Sequence, residues 1–252
     1  MPKIKFKTIL NYSPNFNSIK RIPKQIKFII FHYTGMKKES NAINRLTDIN
    51  SEVSSHYFIK NNGQVITLVP DLYIAWHAGV SSWKRYKSLN KNSIGIEISN
   101  PGHEFKYKKF SKKQIESIIK LTKFLIKKYK IKSQNILGHS DIAPIRKKDP
   151  GEKFPWKYLS INNIGYWHKI DQKRLIKIRY LKINDLEKKL FFKNLLNIGY
   201  SKISSKNSKI SKLQYEIIIT RAFQRRFRQD QINGIIDQEC LMISSNLAKK
   251  LN

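Results

Sequence analysis

IKFIIFHYT, residues 26–34, is the stretch on which the fold turns. Its Ile and Phe residues are nearly uninterrupted, too short a run for an ordinary helix, and rich in side chains that favour extended backbone, so it reads as a strand buried on both faces. His32 lies near its end. A strand without a polar face must be covered from both sides, which points to a sheet sandwiched by helices.

The flanking sequence agrees. A polar, helix-compatible stretch runs from about Glu39 to Asn50, and SSHYFIKNNGQVITLV at 54–69 gives two strands joined at Asn62-Gly63, a strong hairpin signal. SIGIEIS at 93–99 alternates, placing Ile94, Ile96 and Ile98 on one face and Gly95, Glu97 and Ser99 on the other. Ser111 and Gln114 form a capping box ahead of Ile115, Ile118, Ile119, Thr122, Leu125, Ile126 and Tyr129, which repeat at helical spacing. NILGHS at 135–140 then reads as a short strand delivering His139, followed by a Pro-containing loop through Pro155. The expected fold class is α/β, a mixed central sheet flanked by helices.

Beyond Trp156 the pattern weakens. The chain divides into a domain at 1–160, a connecting segment at 161–185 and a small three-helix domain at 186–252. Helices are expected at about 184–197, 212–228 and 238–251, separated by the Ser/Lys/Asn stretch 201–211 and the Asn233-Gly234 turn, with Asp237 capping the last. In AFQRRFRQDQINGIID, at 222–237, the plainest reading is an amphipathic helix with Ile218, Ala222 and Phe223 inside and Arg221, Arg225, Arg226 and Arg228 in water.

Composition sets outer limits. With 252 residues and 40% hydrophobic content, the chain can bury a core of ordinary size. The formal charge of +33 would suit nucleic acid, an anionic membrane surface or a carboxylate-rich polymer, yet the lysines are scattered among many Ile and Asn and read as solvated faces. No RNP-like, zinc-finger or helix-turn-helix pattern supports a nucleic-acid partner. Cys240 is the only cysteine, which excludes an intrachain disulfide and a cysteine-based zinc site. The basic N-terminus breaks its apolar residues before a signal-peptide core can form, so a soluble, cytoplasmic protein is expected, with the periplasm or envelope as the alternative.

A hydrolytic zinc site needs three ligands and one open position. Only His and carboxylates are available here, and GHSDIAPIRKKDPGEKFPW at 138–156 sets His139, Lys147 and Asp149 within one loop. Taken singly, His32 reads as a core histidine, Glu97 as an outward strand carboxylate, Lys147 as a solvated lysine and Asp149 as a turn residue before Pro150.

Taken in order, FIIFHYT, SSHYFI, GQVITLV, AWHAG, NSIGIEI and GHSDIAPIRKKDPGEKFPW resemble the motifs of the N-acetylmuramoyl-L-alanine amidase family of the AmpD and AmiD type, over about residues 26–158. The family shares its fold with phage lysozyme-like amidases and peptidoglycan recognition proteins. The resemblance implies hydrolysis of the amide between N-acetylmuramic acid, or its anhydro form, and L-alanine in peptidoglycan or muropeptides, with Zn2+ as cofactor. It implies His32, His139 and Asp149 as metal ligands, Glu97 as the proton-transferring residue and Lys147 as the group facing the oxyanion. Trp76 and His77 are expected to line the substrate groove, and His56 to be structural. Ser55 stands where related phage amidases place a tyrosine, which fits the AmpD and AmiD branch.

The stretch at 222–237 resembles a three-helix peptidoglycan-binding domain, which would tether the enzyme to glycan. His103 and His168 match no motif and are expected at the surface; Cys240 is expected to pack as a small apolar group. A monomer is expected. The runner-up is a recognition protein of the same fold without catalysis, disfavoured because all five expected site residues are present.

Overall fold

A computed structural model describes residues 7–202 and 210–250 of the chain. Six strands form the central sheet: β1 (Ile9–Leu10), β2 (Phe28–Tyr33), β3 (Tyr57–Ile59), β4 (Val65–Thr67), β5 (Ser93–Ile98) and β6 (Ile136–Gly138). Their spatial order is β1-β4-β3-β5-β2-β6. Only β3 and β4 run antiparallel, as the hairpin across Asn62-Gly63; the other neighbours are parallel, so the sheet is mixed. Gly63 closes the turn at φ +85°, a left-handed value that suits glycine.

β2 is buried on both sides, as its composition demands. Ile29 and Phe31 join β5's Ile94, Ile96 and Ile98 in one apolar cluster with Ile118, Leu121 and Leu125 of helix α2, while Phe28 and Ile30 point the opposite way. Helix α1 (Glu39–Thr47) covers the hairpin end of that second face through Ala42 and Leu46 against Phe58 and Ile66. Helix α2 (Lys112–Tyr129) begins at the expected box: Ser111 Oγ accepts from Gln114 N at 3.2 Å, and Gln114 Oε1 accepts from Ser111 N at 2.9 Å. Such a cap contributes about 1 kcal/mol.

Short helices α3 (His139–Ile142) and α4 (Trp156–Ile161) flank the loop after β6. Helix α5 (Gln172–Ile178) lies within the segment read from sequence as a connection; only its Leu175 is buried, too little for a visible period. Then come α6 (Asp185–Ile198), α7 (Lys212–Phe227) and α8 (Gln238–Lys249). Asp237 caps α8 by accepting from Cys240 N at 3.0 Å, and Cys240 is fully buried. The 201–211 separator and the last residues of the chain fall largely outside the described residues.

The three long helices do not stand off from the sheet. Phe191, Leu195, Phe223, Phe227, Ile243 and Leu247 share one apolar cluster with Phe28, Ile30 and Leu137. That packing corrects one expectation: Arg225, Arg226 and Arg228 are buried, not in water. α7 is enclosed on several sides, so guanidinium groups that a two-sided pattern assigns to solvent meet acids instead. Arg226 bonds Asp141 and donates to the Ile136 carbonyl at 2.9 Å, and Arg228 pairs with Asp237 at 2.5 Å. No described helix is long and apolar enough to cross a membrane.

Candidate metal centre and its cleft

Parallel strands bring chemistry to their carboxyl ends. In the β2–β5 register His32 stands beside Glu97, so both side chains leave the same face at neighbouring positions. β6 is parallel to β2 on its other side and ends one residue before His139. Asp149 returns to the same spot because its loop is pinned: Ser140 N donates to the Asp149 carbonyl at 2.8 Å, and Tyr107 Oη donates to that of Pro150 at 2.6 Å. Gly138 makes the return possible, since a Cβ there would lie 2.6 Å from Pro150 Cδ.

Three ligand-type atoms converge. His32 Nδ1 lies 2.9 Å from His139 Nδ1, and each lies 3.1 Å from Asp149 Oδ2. His139 Nε2 lies 3.2 Å from the Ala78 carbonyl, which can only accept; its proton therefore sits on Nε2 and its Nδ1 offers a lone pair to the cluster. All three residues are at least nine-tenths buried, and they form the metal-compatible group of His and carboxylate side chains among the described residues. A tetrahedral ion with ligands at about 2.0–2.2 Å sets them roughly 3.3 Å apart, close to the spacing seen. The donor set, two imidazoles and one carboxylate, fits zinc.

The electrostatics suit a cation. Burial, with His139 adding, lowers His32 to about 4, so the imidazole is neutral near pH 7. Burial alone would raise the Asp149 carboxyl, but the His139 and His32 rings, protonated at the acid pH where the carboxyl itself titrates, outweigh it and hold it well below the usual carboxylate range. Glu97 behaves oppositely: burial first and Asp149 second push it up to about 8, against the pull of Lys147. Its Oε2 is buried with no hydrogen-bond partner among the described side chains and backbone. An unpartnered carboxylate oxygen beside a metal-type cluster is a group with work to do.

These residues open into a cleft of about 430 Å³, lined also by Lys147, Trp76, His77, Arg45, Arg146 and His103. Trp76 forms part of the wall, its indole donating to Asn17 Oδ1 at 2.6 Å. His77 is buried, with both ring nitrogens engaged by His32 and Ser93. His56 is structural in geometry: Nδ1 accepts from Gly95 N at 3.0 Å, and Nε2 faces the Tyr73 carbonyl at 3.1 Å.

Two histidines expected at the surface are not free there. His168 is buried. His103 lines the cleft, held between Tyr33 Oη at 2.8 Å and Glu152 at 2.9 Å and stacked on Tyr107. The turn at Gly102 puts it there, a cue that carries no periodicity.

With this geometry in hand, comparison with known proteins is decisive. The family model for N-acetylmuramoyl-L-alanine amidase matches residues 22–152, which hold every residue of the cluster together with Glu97 and Lys147. N-acetylmuramoyl-L-alanine amidase AmiD of Escherichia coli is 35% identical over 238 residues, covering 90% of this chain and 83% of AmiD. A solved complex of AmiD with the substrate anhydro-N-acetylmuramic acid-L-Ala-D-gamma-Glu-L-Lys superposes with a TM-score of 0.77 at 32% identity, covering 90% of each chain. AMPDH3 of Pseudomonas aeruginosa, solved with an anhydromuramic pentapeptide, gives a TM-score of 0.76 at 28% identity over 99% of each chain. The matched family model, the identity to AmiD and the shared fold thus agree, and the chain belongs to the N-acetylmuramoyl-L-alanine amidase family.

Proposed function

We propose that the chain hydrolyses the amide between N-acetylmuramic acid, or its anhydro form, and L-alanine, with zinc held by His32, His139 and Asp149. The observation that carries this reading is the convergence of those three side chains beside the unpartnered Glu97 carboxylate. The muropeptide ligands in the AmiD and AMPDH3 complexes support the substrate class.

A zinc ion in this donor set supplies Lewis acidity, which acidifies water and polarises an amide carbonyl. The remaining work falls to the chain. Glu97, brought to its ionised form by the cation's charge, takes a proton from the attacking water and returns it to the L-alanine nitrogen as the carbon–nitrogen bond breaks. Lys147, on the cleft wall, faces the oxygen that gains charge in the tetrahedral intermediate, where a cation stabilises more than in the planar amide. Trp76 offers an indole face to the sugar or peptide. The helices at 186–252 are assigned, on the same reading, to holding polymeric glycan near the cleft.

The test is direct. Zinc-loaded protein is incubated with anhydro-muropeptides and, separately, with intact sacculi, and products are identified by mass spectrometry. Free stem peptide beginning with L-alanine is expected, and Glu97→Gln should suppress it; co-sedimentation of Glu97→Gln with sacculi tests the glycan-holding role. Tight muropeptide binding without any release by the wild-type chain would favour the non-catalytic recognition protein instead.

A further inference from the structure

Beneath the cluster lies a second histidine whose position the chemistry above does not explain. The His77 ring rests against β5 at Gly95, where an added Cβ would come within 2.4 Å of the ring. Only glycine allows that approach, and it brings His77 Nδ1 to 3.0 Å from His32 Nε2. On its far side His77 Nε2 lies 3.1 Å from Ser93 Oγ, and Ser93 Oγ lies 2.6 Å from the Leu89 carbonyl.

The proton positions along this row follow from its fixed end. A carbonyl only accepts, so the single hydroxyl proton of Ser93 goes to Leu89. Ser93 Oγ must then accept, which places the His77 proton on Nε2. Its Nδ1 is left with a lone pair and accepts in turn, which places the His32 proton on Nε2 as well. His32 Nδ1, the atom 3.1 Å from Asp149 Oδ2, is the nitrogen this row leaves free to turn a lone pair to a metal set between it and the carboxylate. His139 reaches the same state in one step, through the Ala78 carbonyl.

We propose that Leu89, Ser93 and His77 form a hydrogen-bond row of fixed direction that holds His32 in its Nε2-protonated tautomer, making His77 a positioning residue for the metal ligand. This inference rests on the zinc reading above and deepens it. A ligand imidazole whose distal N–H is fixed is both oriented and more basic, and removing such a partner typically costs about 10–100-fold in metal affinity. Both His77 nitrogens are engaged within the protein, so its contribution runs through His32 rather than through substrate.

The experiment measures zinc affinity by competition with a chelating dye, on the full chain, for wild type, His77→Leu, His77→Gln and Ser93→Ala. Leucine fills similar space and offers no polar atom; glutamine can accept from His32 and donate to Ser93 in the same sense. The expected result is about a 10–100-fold loss for His77→Leu and a smaller loss for Ser93→Ala, with His77→Gln within a few-fold of wild type. In the zinc-loaded wild type, nitrogen-15 NMR should find His32 protonated at Nε2. If zinc-free His77→Leu fails to fold, Ser93→Ala and the NMR tautomer decide the matter. Wild-type affinity in a folded His77→Leu, or in Ser93→Ala, or a His32 proton on Nδ1, overturns the inference alone; a wild-type chain that takes up no zinc overturns the metal reading with it.

Discussion

Two buried polar clusters begin two residues apart, and they are built on opposite principles. At His139 two imidazoles and a carboxylate turn ligand atoms toward one another at 2.9–3.1 Å, with no Lys or Arg among the described residues bonded to the three side chains. At Asp141 the carboxylate meets its own cation: Arg226 bonds it, Tyr200 Oη donates to Oδ1 at 2.8 Å, and Gly138 N donates to Oδ2 at 2.8 Å. Arg226 is also stacked on Trp156, 4.2 Å from the ring centroid. The second cluster balances its carboxylate with a cation of the chain, leaving Arg226 Nε without a hydrogen-bond partner among the described residues, and serves stability. The first is short of one positive charge, and that deficit marks it as a site for something the chain does not itself provide.

Breaking the deficient cluster should have the largest effect. Asp149→Ala or His139→Ala is expected to abolish zinc retention, read by metal analysis after desalting, and to lower amidase turnover by at least ~1000-fold. Chelation of the wild type should do the same reversibly, with activity restored by added zinc. Full activity after rigorous chelation would remove the basis of the comparison. Glu97→Gln sharpens it: zinc should stay, and kcat should fall about 100–10,000-fold, because the proton carrier is lost while the ligands remain.

Breaking the complete cluster should act on folding instead. Arg226→Met leaves Asp141 as an uncompensated buried charge and is expected to cost about 3–5 kcal/mol in urea unfolding. Zinc content and turnover per folded molecule should hold. Asp141→Leu combined with Arg226→Met should recover much of the lost stability, an outcome impossible if the arginine instead served the reaction. Should Arg226→Met leave stability intact but remove turnover, the two clusters would have to exchange roles.

The same contrast explains how far the sequence could be read. β2, β5, the Asn62-Gly63 hairpin, the capping box of α2 and the Asp237 cap of α8 are encoded in a few neighbouring residues, so periodicity and cap chemistry reveal them. His32 lies 107 residues from His139 and 117 from Asp149, and only the ordered resemblance of several motifs anticipated that the three meet. The buried arginines had no such signal. Arg226 pairs with an aspartate 85 residues away, and nothing local to α7 announces that its polar side is also enclosed. His77 was legible as part of a motif, but its contact with His32 depends on the space left by Gly95 on another strand.

The gentlest perturbation is a fall of one and a half pH units, and it separates the clusters without changing a residue. In zinc-free protein His32 is lowered to about 4 and His56 to about 3, in each case chiefly by burial, and His77 is also held well below its ordinary value by burial and its histidine neighbours. Each pKa is depressed in the folded state, so the unfolded chain takes up protons first as pH falls. Stability is therefore fully present above about 6.5 and is lost as pH drops from there toward the folded values. Between pH 7 and 5.5 the loss should be roughly 1 kcal/mol per imidazole, read as a falling urea midpoint. His56→Gln should remove one share of that slope. Asp141→Leu with Arg226→Met leaves these imidazoles in place and should show the wild-type slope from a different starting stability. Glu97, pushed up to about 8, holds its proton in the folded state first and so offsets about one imidazole over this interval; a His56→Gln protein with the wild-type slope would mean that the buried imidazoles are not held neutral, and the argument for a cluster lacking its own cation would fail with it.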